Sequence, residues 1–176
     1  IDEWPRPTTP PSFDESTATA TDYDKQVYEY CVERVWTFIN QRSHSVEEDV
    51  LRQVAVAEYL LHHLRFENAE TYVQLSTLVE DLGLSGDMIR RNVIAGLRDY
   101  GVLIASSSRG GYKIPSCAKD LQDYVRMASE LICPLLRRVG EARKALYAKT
   151  NKKLDIVGGP ESEQLRELLA TLEGER

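Results

Sequence analysis

Cysteine is scarce in this chain. There are three in 176 residues, Cys31, Cys117 and Cys133, odd in number and far apart. That excludes a disulfide framework, and no pair has metal-ligand spacing. A reducing compartment is expected, with each thiol acting as a small buried apolar group. Long apolar runs are missing too. None approaches the roughly 20 residues that cross a bilayer, so a soluble, cytoplasmic protein with no membrane partner is expected. No basic-then-apolar leader opens the chain, because Ile1 to Phe13 are acidic and proline-rich. The first residue is not Met, and the chain is read as a processed or cut-out piece of a longer polypeptide.

Catalytic patterns are also absent. Gly110-Gly111 falls inside a hairpin pattern rather than before a helix, so it is no phosphate cradle. There is no nucleophile elbow and no HExxH. Glu47-Glu48-Asp49 sits at a helix start, where the helix dipole accounts for it. His62 and His63 are adjacent and point about 100° apart on a helix, so they cannot share one metal ion. No enzymatic activity, cofactor or metal is expected of this chain, although it can be part of a larger enzyme such as a nuclease or a phage-defence protein.

An overall basic excess is lacking as well. The net charge is −6, which at first argues against nucleic acid, since phosphate contacts dominate that affinity. The distribution reverses the inference. Residues 1–84 carry −10, residues 85–114 carry +3 and residues 115–176 carry +1. A local basic patch, not the total, is the footprint to seek.

What is present reads as a chain mainly of helices with a small β-wing. Residues 1–21, with Pro5, Pro7, Pro10 and Pro11 and then a Ser/Thr/Ala stretch, read as a flexible tail with nothing to bury. Residues 22–67 read as a helical N-terminal region. Its first helix carries the stripe Tyr23, Val27, Tyr30, Cys31, Arg34, Val35 and Phe38, widened by Trp36 and Ile39. Ser45-Val46-Glu47-Glu48 matches a capping box, Ser45 capping and Glu48 reaching back. Val50, Leu51, Val54, Ala57, Leu61 and Leu64 form the buried side of the next helix.

Residues 68–115 hold a possible strand at Thr71-Tyr72-Val73 and a short helix over 75–82, with Leu75, Leu78, Val79 and Leu82 inward. Gly83 stops it, Leu84 plugs the turn, and Ser85 caps a helix running to about Tyr100 and closed by Gly101. Val102 to Ala105 and Tyr112 to Ile114 read as strands around the loop Ser106 to Gly111. Ser116 can cap a long helix over 116–150. Residues 151–176 read as a tail, with Leu154 to Val157 as a short pairing segment and a last helix over 161–172.

The order helix, glycine turn, Ser-capped helix, glycine, strand, glycine hairpin, strand resembles the winged helix-turn-helix family. The segments that carry the resemblance are Leu75 to Leu82, Gly83-Leu84-Ser85, Met88 to Tyr100, Gly101-Val102-Leu103-Ile104 and Gly110-Gly111-Tyr112-Lys113-Ile114. It covers about 40 residues strictly, and about 70 with the helix that follows Ser45. It implies a duplex-DNA partner and use as a transcription regulator of bacterial or phage type.

The residues can be read without the resemblance. On the Ser85-capped helix, Ile89, Val93 and Leu97 repeat every four positions and face inward, with Gly96 permitting close approach. Asp87, Arg91, Ala95 and Arg98 then fall on the opposite side, with Ile94 at its edge and Arg90 at the other boundary. Arg91 and Arg98, with small Ala95 between them, suit a major groove. In the loop, Ser107, Ser108 and Gly110 offer hydroxyls and open amides, Arg109 sits at the tip and Lys113 follows on the strand, so the hairpin can approach phosphates. An ordinary solvated helix face, or a winged helix used as a protein-interaction module, is the competing reading, and the acidic total favours it.

The long helix repeats Leu121, Val125, Ala128, Ile132, Leu135, Val139, Ala142 and Leu146 in steps of four and three. This is a heptad pattern, with Val125, Ile132, Val139 and Leu146 at a and the others at d. A homodimer through that seam is expected. β-Branched residues at a favour two strands in parallel coiled coils, and the alanines weaken that preference. Pro134 should kink the helix. Its basic end, with Arg137, Arg138, Arg143, Lys144, Lys149, Lys152 and Lys153, suits the negative pole of the helix dipole.

Overall fold

The computed structural model describes residues 9–13 and 23–174. It is mainly helical with one small antiparallel sheet of three strands. Two compact units are present, Ile1–Val125 and Arg126–Arg176.

The first unit opens with α1 (Asp24–Arg42) and α2 (Glu48–His62), which a π-helical turn (His63–Glu67) extends. Strand β1 (Val73–Gln74) leads into α3 (Leu75–Leu82). Next comes one continuous helical run in three parts: α4 (Gly86–Met88), a π-helical stretch (Ile89–Ile94) and α5 (Ala95–Asp99). Strands β2 (Ala105–Ser106) and β3 (Gly111–Lys113) form the hairpin, and α6 (Ala118–Lys149) follows. The sheet order is β1-β3-β2, with Val73 opposite Tyr112 and Ala105 opposite Lys113. The second unit contains the rest of α6, a 3-10 turn (Pro160–Ser162) and α7 (Glu163–Gly174).

The core of the first unit is built from Val32, Val35 and Phe38 of α1, Val56 and Leu60 of α2, Leu78 of α3, and Ile89, Val93, Ile94 and Leu97 of the run. Val102 and Ile114 close it from the sheet side. Burying side chains of this size contributes about 1.5–3 kcal/mol each, which explains why the helices settle on these faces.

Several expectations are corrected. In α1 the buried face is Tyr28, Cys31, Val32, Val35, Phe38 and Ile39, while Tyr23 and Tyr30 are exposed. Arg34 earns its place in the stripe differently: its guanidinium donates to Tyr100 O (3.1 Å) and Gly101 O (3.3 Å), tying α1 to the end of α5. The capping box does not form. Ser45 Oγ accepts from Glu47 N at 3.1 Å, Glu47 occupies the cap position, and Glu48 pairs with Arg52 instead of reaching back. In α2 the exposed Leu51 drops out of the buried set, while Val56 and Leu60 join it. Strand β1 begins at Val73, and β2 begins at Ala105 because Val102 to Ile104 have no ladder partners; Val102 and Ile104 are buried and Leu103 is half-buried.

Ser116 does not cap α6. The amide of Ala118 donates to Asp24 Oδ1 (2.8 Å), a carboxylate 94 residues away, and Asp120 accepts from Ser116 N (2.8 Å). Among the described residues Leu154 to Val157 pair with no strand. Of the thiols, Cys31 is buried, Cys117 is half-buried and Cys133 is exposed. Pro11 is buried and the Phe13 ring meets the Tyr28 ring at 5.4 Å, so part of the expected tail does pack; the rest of it lies outside the described residues.

Candidate nucleic-acid interface

The turn between α3 and the helical run forms as its residues dictate. Gly83 ends α3 in the left-handed region at φ 66°, which a side chain adopts only at a cost. Ser85 Oγ then accepts from Met88 N at 3.2 Å, capping the next helix. Gly96 lies under α2, where a Cβ would come within 2.3 Å of Gln53 Nε2. Gly101 takes φ 95° and passes the Arg34 guanidinium so closely that a Cβ would sit 2.6 Å from it. These glycines fix how the run lies on the core.

Ile89, Val93 and Leu97 face inward as their spacing requires. Ile94 does too, although an ideal wheel leaves it at the outer edge. The π-helical stretch from Ile89 to Ile94 has a wider turn, so each residue advances the wheel less and Ile94 swings into the core.

The predicted reading residues separate into two groups. Arg90 and Arg91 are exposed, as are Asp87 and Ser85. Arg90 Nη2 donates to Asp87 Oδ1 at 3.0 Å, an i,i+3 surface pair of the kind that contributes little and yields to a competing anion. Asn92, not singled out from the sequence, is exposed beside Arg91. An amide there can pair bidentately with adenine, and its adjacency to Arg91 was the available signal.

Arg98 does not join them. Its Nε and Nη2 donate to Ile104 O at 3.1 and 2.7 Å, Nη2 also reaches Ser106 Oγ at 2.5 Å, and the guanidinium stacks over Tyr124 at 4.8 Å. Half-buried Arg98 therefore clamps the hairpin to α5, and half-buried Ala95 fronts no pair of projecting arginines. Lys113 is only 3% exposed. It pairs with Asp120 at 2.8 Å, donates to Ser116 Oγ at 3.1 Å and lies 5.5 Å from the centre of the Tyr72 ring, so it holds β3 against the start of α6.

The hairpin tip is closed by its own bonds. Gly110 N donates to Ser107 O, Ser107 N donates to Gly111 O, and Ser107 Oγ accepts from Gly111 N at 3.0 Å. Gly110 takes φ 81°. Ser107 is thus a turn-former, and Ser108, Arg109 and Gly110 are the groups left exposed at the tip. Gly110 O accepts from Leu75 N at 3.2 Å, which sets the tip beside the start of α3. Burial pushes the Tyr112 hydroxyl above its ordinary range, while Arg98 and then Arg90 pull the other way.

The exposed cations of this region are Arg90, Arg91 and Arg109, opposed by Asp87 and Asp99 on the run and by exposed Glu80 and Asp81 on α3. Among the described residues no group of three or more His, Cys, Asp or Glu is placed to hold a metal ion, and no helix is long and apolar enough to cross a membrane. No family model, curated protein or solved structure matches the chain.

Proposed function

We propose that the first unit binds duplex DNA as a winged helix-turn-helix, in the manner of a transcription regulator with a preferred site. The order α2, β1, α3, the α4–α5 run, β2, β3, with sheet order β1-β3-β2, is compatible with that architecture. The observation that carries the reading is the pair Arg91 and Asn92, exposed together on the helix that the Gly83-to-Ser85 turn starts. An arginine and an amide side by side can read guanine and adenine edges in a major groove. Arg90 and Arg109 supply phosphate contacts on either side of that reading.

Three cations give a salt signature. If each neutralises one phosphate, log K falls against log salt with a slope of about −3 per chain. Binding to random-sequence and genomic duplexes at two salt concentrations tests this. Arg109→Ala should weaken binding to all sequences alike and reduce the slope by about 1. Failure to bind at low salt, with the fold intact, rejects the proposal. A protein-interaction module is the second reading. It is favoured by one specific finding, that Arg98 and Lys113 are engaged internally, which leaves the face poorer in cations than its composition suggests.

A further inference from the structure

The unit Arg126–Arg176 buries little of its own apolar surface. Among its described residues only Val157 and Leu169 are fully buried apolar side chains. Its one helix pair explains why. A Cβ on Gly140 would meet Leu169 Cδ2 at 3.6 Å, and Lys144 pairs with Glu173 at 3.1 Å. Both contacts advance by four residues in the same direction, so α7 runs parallel to α6. The returning segment is held by Arg143 to Asp155 (2.9 and 2.7 Å) and by Arg166 to the carbonyls of Val157 and Gly159 (2.6 and 2.7 Å).

At about 100° per residue, the α6 face under α7 and the heptad stripe lie well apart on the helix. Much of the stripe and its neighbour Leu131 are open, with Leu131 67% exposed, Leu135 59%, Ile132 51% and Leu146 40%, while Leu121, Ala128 and Val139 are half-buried. We propose that this stripe is the seat of a second copy of the chain, with the two α6 helices antiparallel.

Three observations choose that occupant and that orientation. First, the stripe pairs with itself in reverse without a gap. Leu121 meets Leu146, Val125 meets Ala142, Ala128 meets Val139 and Ile132 meets Leu135, so each alanine faces a branched partner. A parallel pair would set Ala128 on Ala128 and Ala142 on Ala142, leaving two thin layers. Second, the flanks agree. A parallel pair brings Arg138 against Arg143 of the other copy, a like-charge contact, whereas the reversed pair lays Arg138 on Leu131. Residues 118–133 carry −1 and residues 134–149 carry +4, so reversal also sets the acidic half beside the basic half. Third, covering the stripe and its flanking stems removes on the order of 1,000 Å² over both copies, the size at which an interface becomes specific.

Light scattering on the whole chain should give twice its 20.0 kDa mass at micromolar concentration. Leu135→Asp should halve the mass with helical circular dichroism unchanged, since Leu135 lies on the surface of one copy. Orientation is read by cysteine pairing under oxidised glutathione, with Cys117 and Cys133 replaced by Ser. Ala128→Cys combined with Val139→Cys should form a covalent dimer, and neither change alone should. The two positions are about 16 Å apart along one helix, too far to bridge within a chain. Cross-linking of Ala128→Cys by itself overturns the antiparallel arrangement, and a monomeric parent chain overturns the interface. Neither readout involves nucleic acid, so failure here leaves the DNA proposal standing.

Discussion

Replacing Arg98 by Ala separates its two possible uses, reading a base and holding the hairpin. The guanidinium makes two bonds to Ile104 O and one to Ser106 Oγ, and stacks on Tyr124. A hydrogen bond to a charged group contributes about 1.5–3 kcal/mol net, less where solvent competes, and an exposed cation–π contact about 0.5–1 kcal/mol. The bonds share one donor atom and one carbonyl, so they do not add in full. The expected loss is about 3 kcal/mol, which at roughly 3 °C per kcal/mol lowers Tm by about 10 °C. Arg98→Lys should recover little, because an ammonium cannot fork onto both acceptors while lying flat on the ring. Arg91→Ala should leave stability within about 0.5 kcal/mol, as surface changes do. Urea unfolding followed by circular dichroism measures stability, and anisotropy of a labelled duplex measures binding. Arg91→Ala should cost about tenfold or more in affinity at full stability. If Arg98→Ala instead keeps its stability and loses sequence-specific binding, the clamp is wrong and the residue belongs to the reading face.

The other predictions concern the first unit. Asp120→Ala leaves the Lys113 ammonium buried without its carboxylate and should cost about 3–5 kcal/mol, whereas replacing both by apolar residues of similar volume should recover most of it; urea midpoints report both. Gly101→Ala puts a Cβ at φ 95° and against the Arg34 guanidinium, and should cost about 1–3 kcal/mol in the same assay. Burial, and after it the Asp120 charge, pushes the Cys31 thiol up from an ordinary 9.0 to about 12. The folded state then holds a proton that the unfolded chain releases above pH 9, so this contribution is complete below pH 9 and is lost as pH rises toward 12, at up to about 1.4 kcal/mol per pH unit. Cys31→Ala should flatten that alkaline slope in urea midpoints taken from pH 8 to 11, and an unchanged slope would assign it to other groups.

Local chemistry with short reach was legible. Gly83, Ser85 and Gly101 each do what their residue type dictates within a few positions, and so α3 and the run after it were placed from sequence. The long helix was legible because its heptad repeat persists through Pro134. The failures share a cause: a motif's spacing does not show which competing partner, near or far in sequence, takes a group. Ser45 and Glu48 have the spacing of a capping box, yet Arg52 on the next turn offers Glu48 a cation. Ser116 stands where a cap belongs, yet the donor it would satisfy is taken by Asp24 from the far end of the unit. Asp24 reads as an ordinary first-turn acid, and nothing in its neighbours signals a buried carboxylate.

The candidate interface shows the same limit more sharply. Periodicity tells which side of an ideal helix a Cα faces, and on that wheel Arg91 and Arg98 share a face; the π-helical stretch from Ile89 to Ile94 already departs from the wheel. An arginine head, however, lies several bonds from its Cα and goes where a carbonyl or ring receives it. Ile104 and Tyr124 receive Arg98, whereas Arg91 remains exposed. The same holds for Lys113, whose acceptor Asp120 lies only seven residues on but across the turn into α6. Contacts within the chain therefore divide the basic residues of 85–114 into Arg98 and Lys113, which build the hairpin, and those that stay exposed, Arg90 among them in a surface pair with Asp87. Arg90, Arg91 and Arg109 form the second set, which makes a salt slope near −3 rather than −5 the discriminating number for this face.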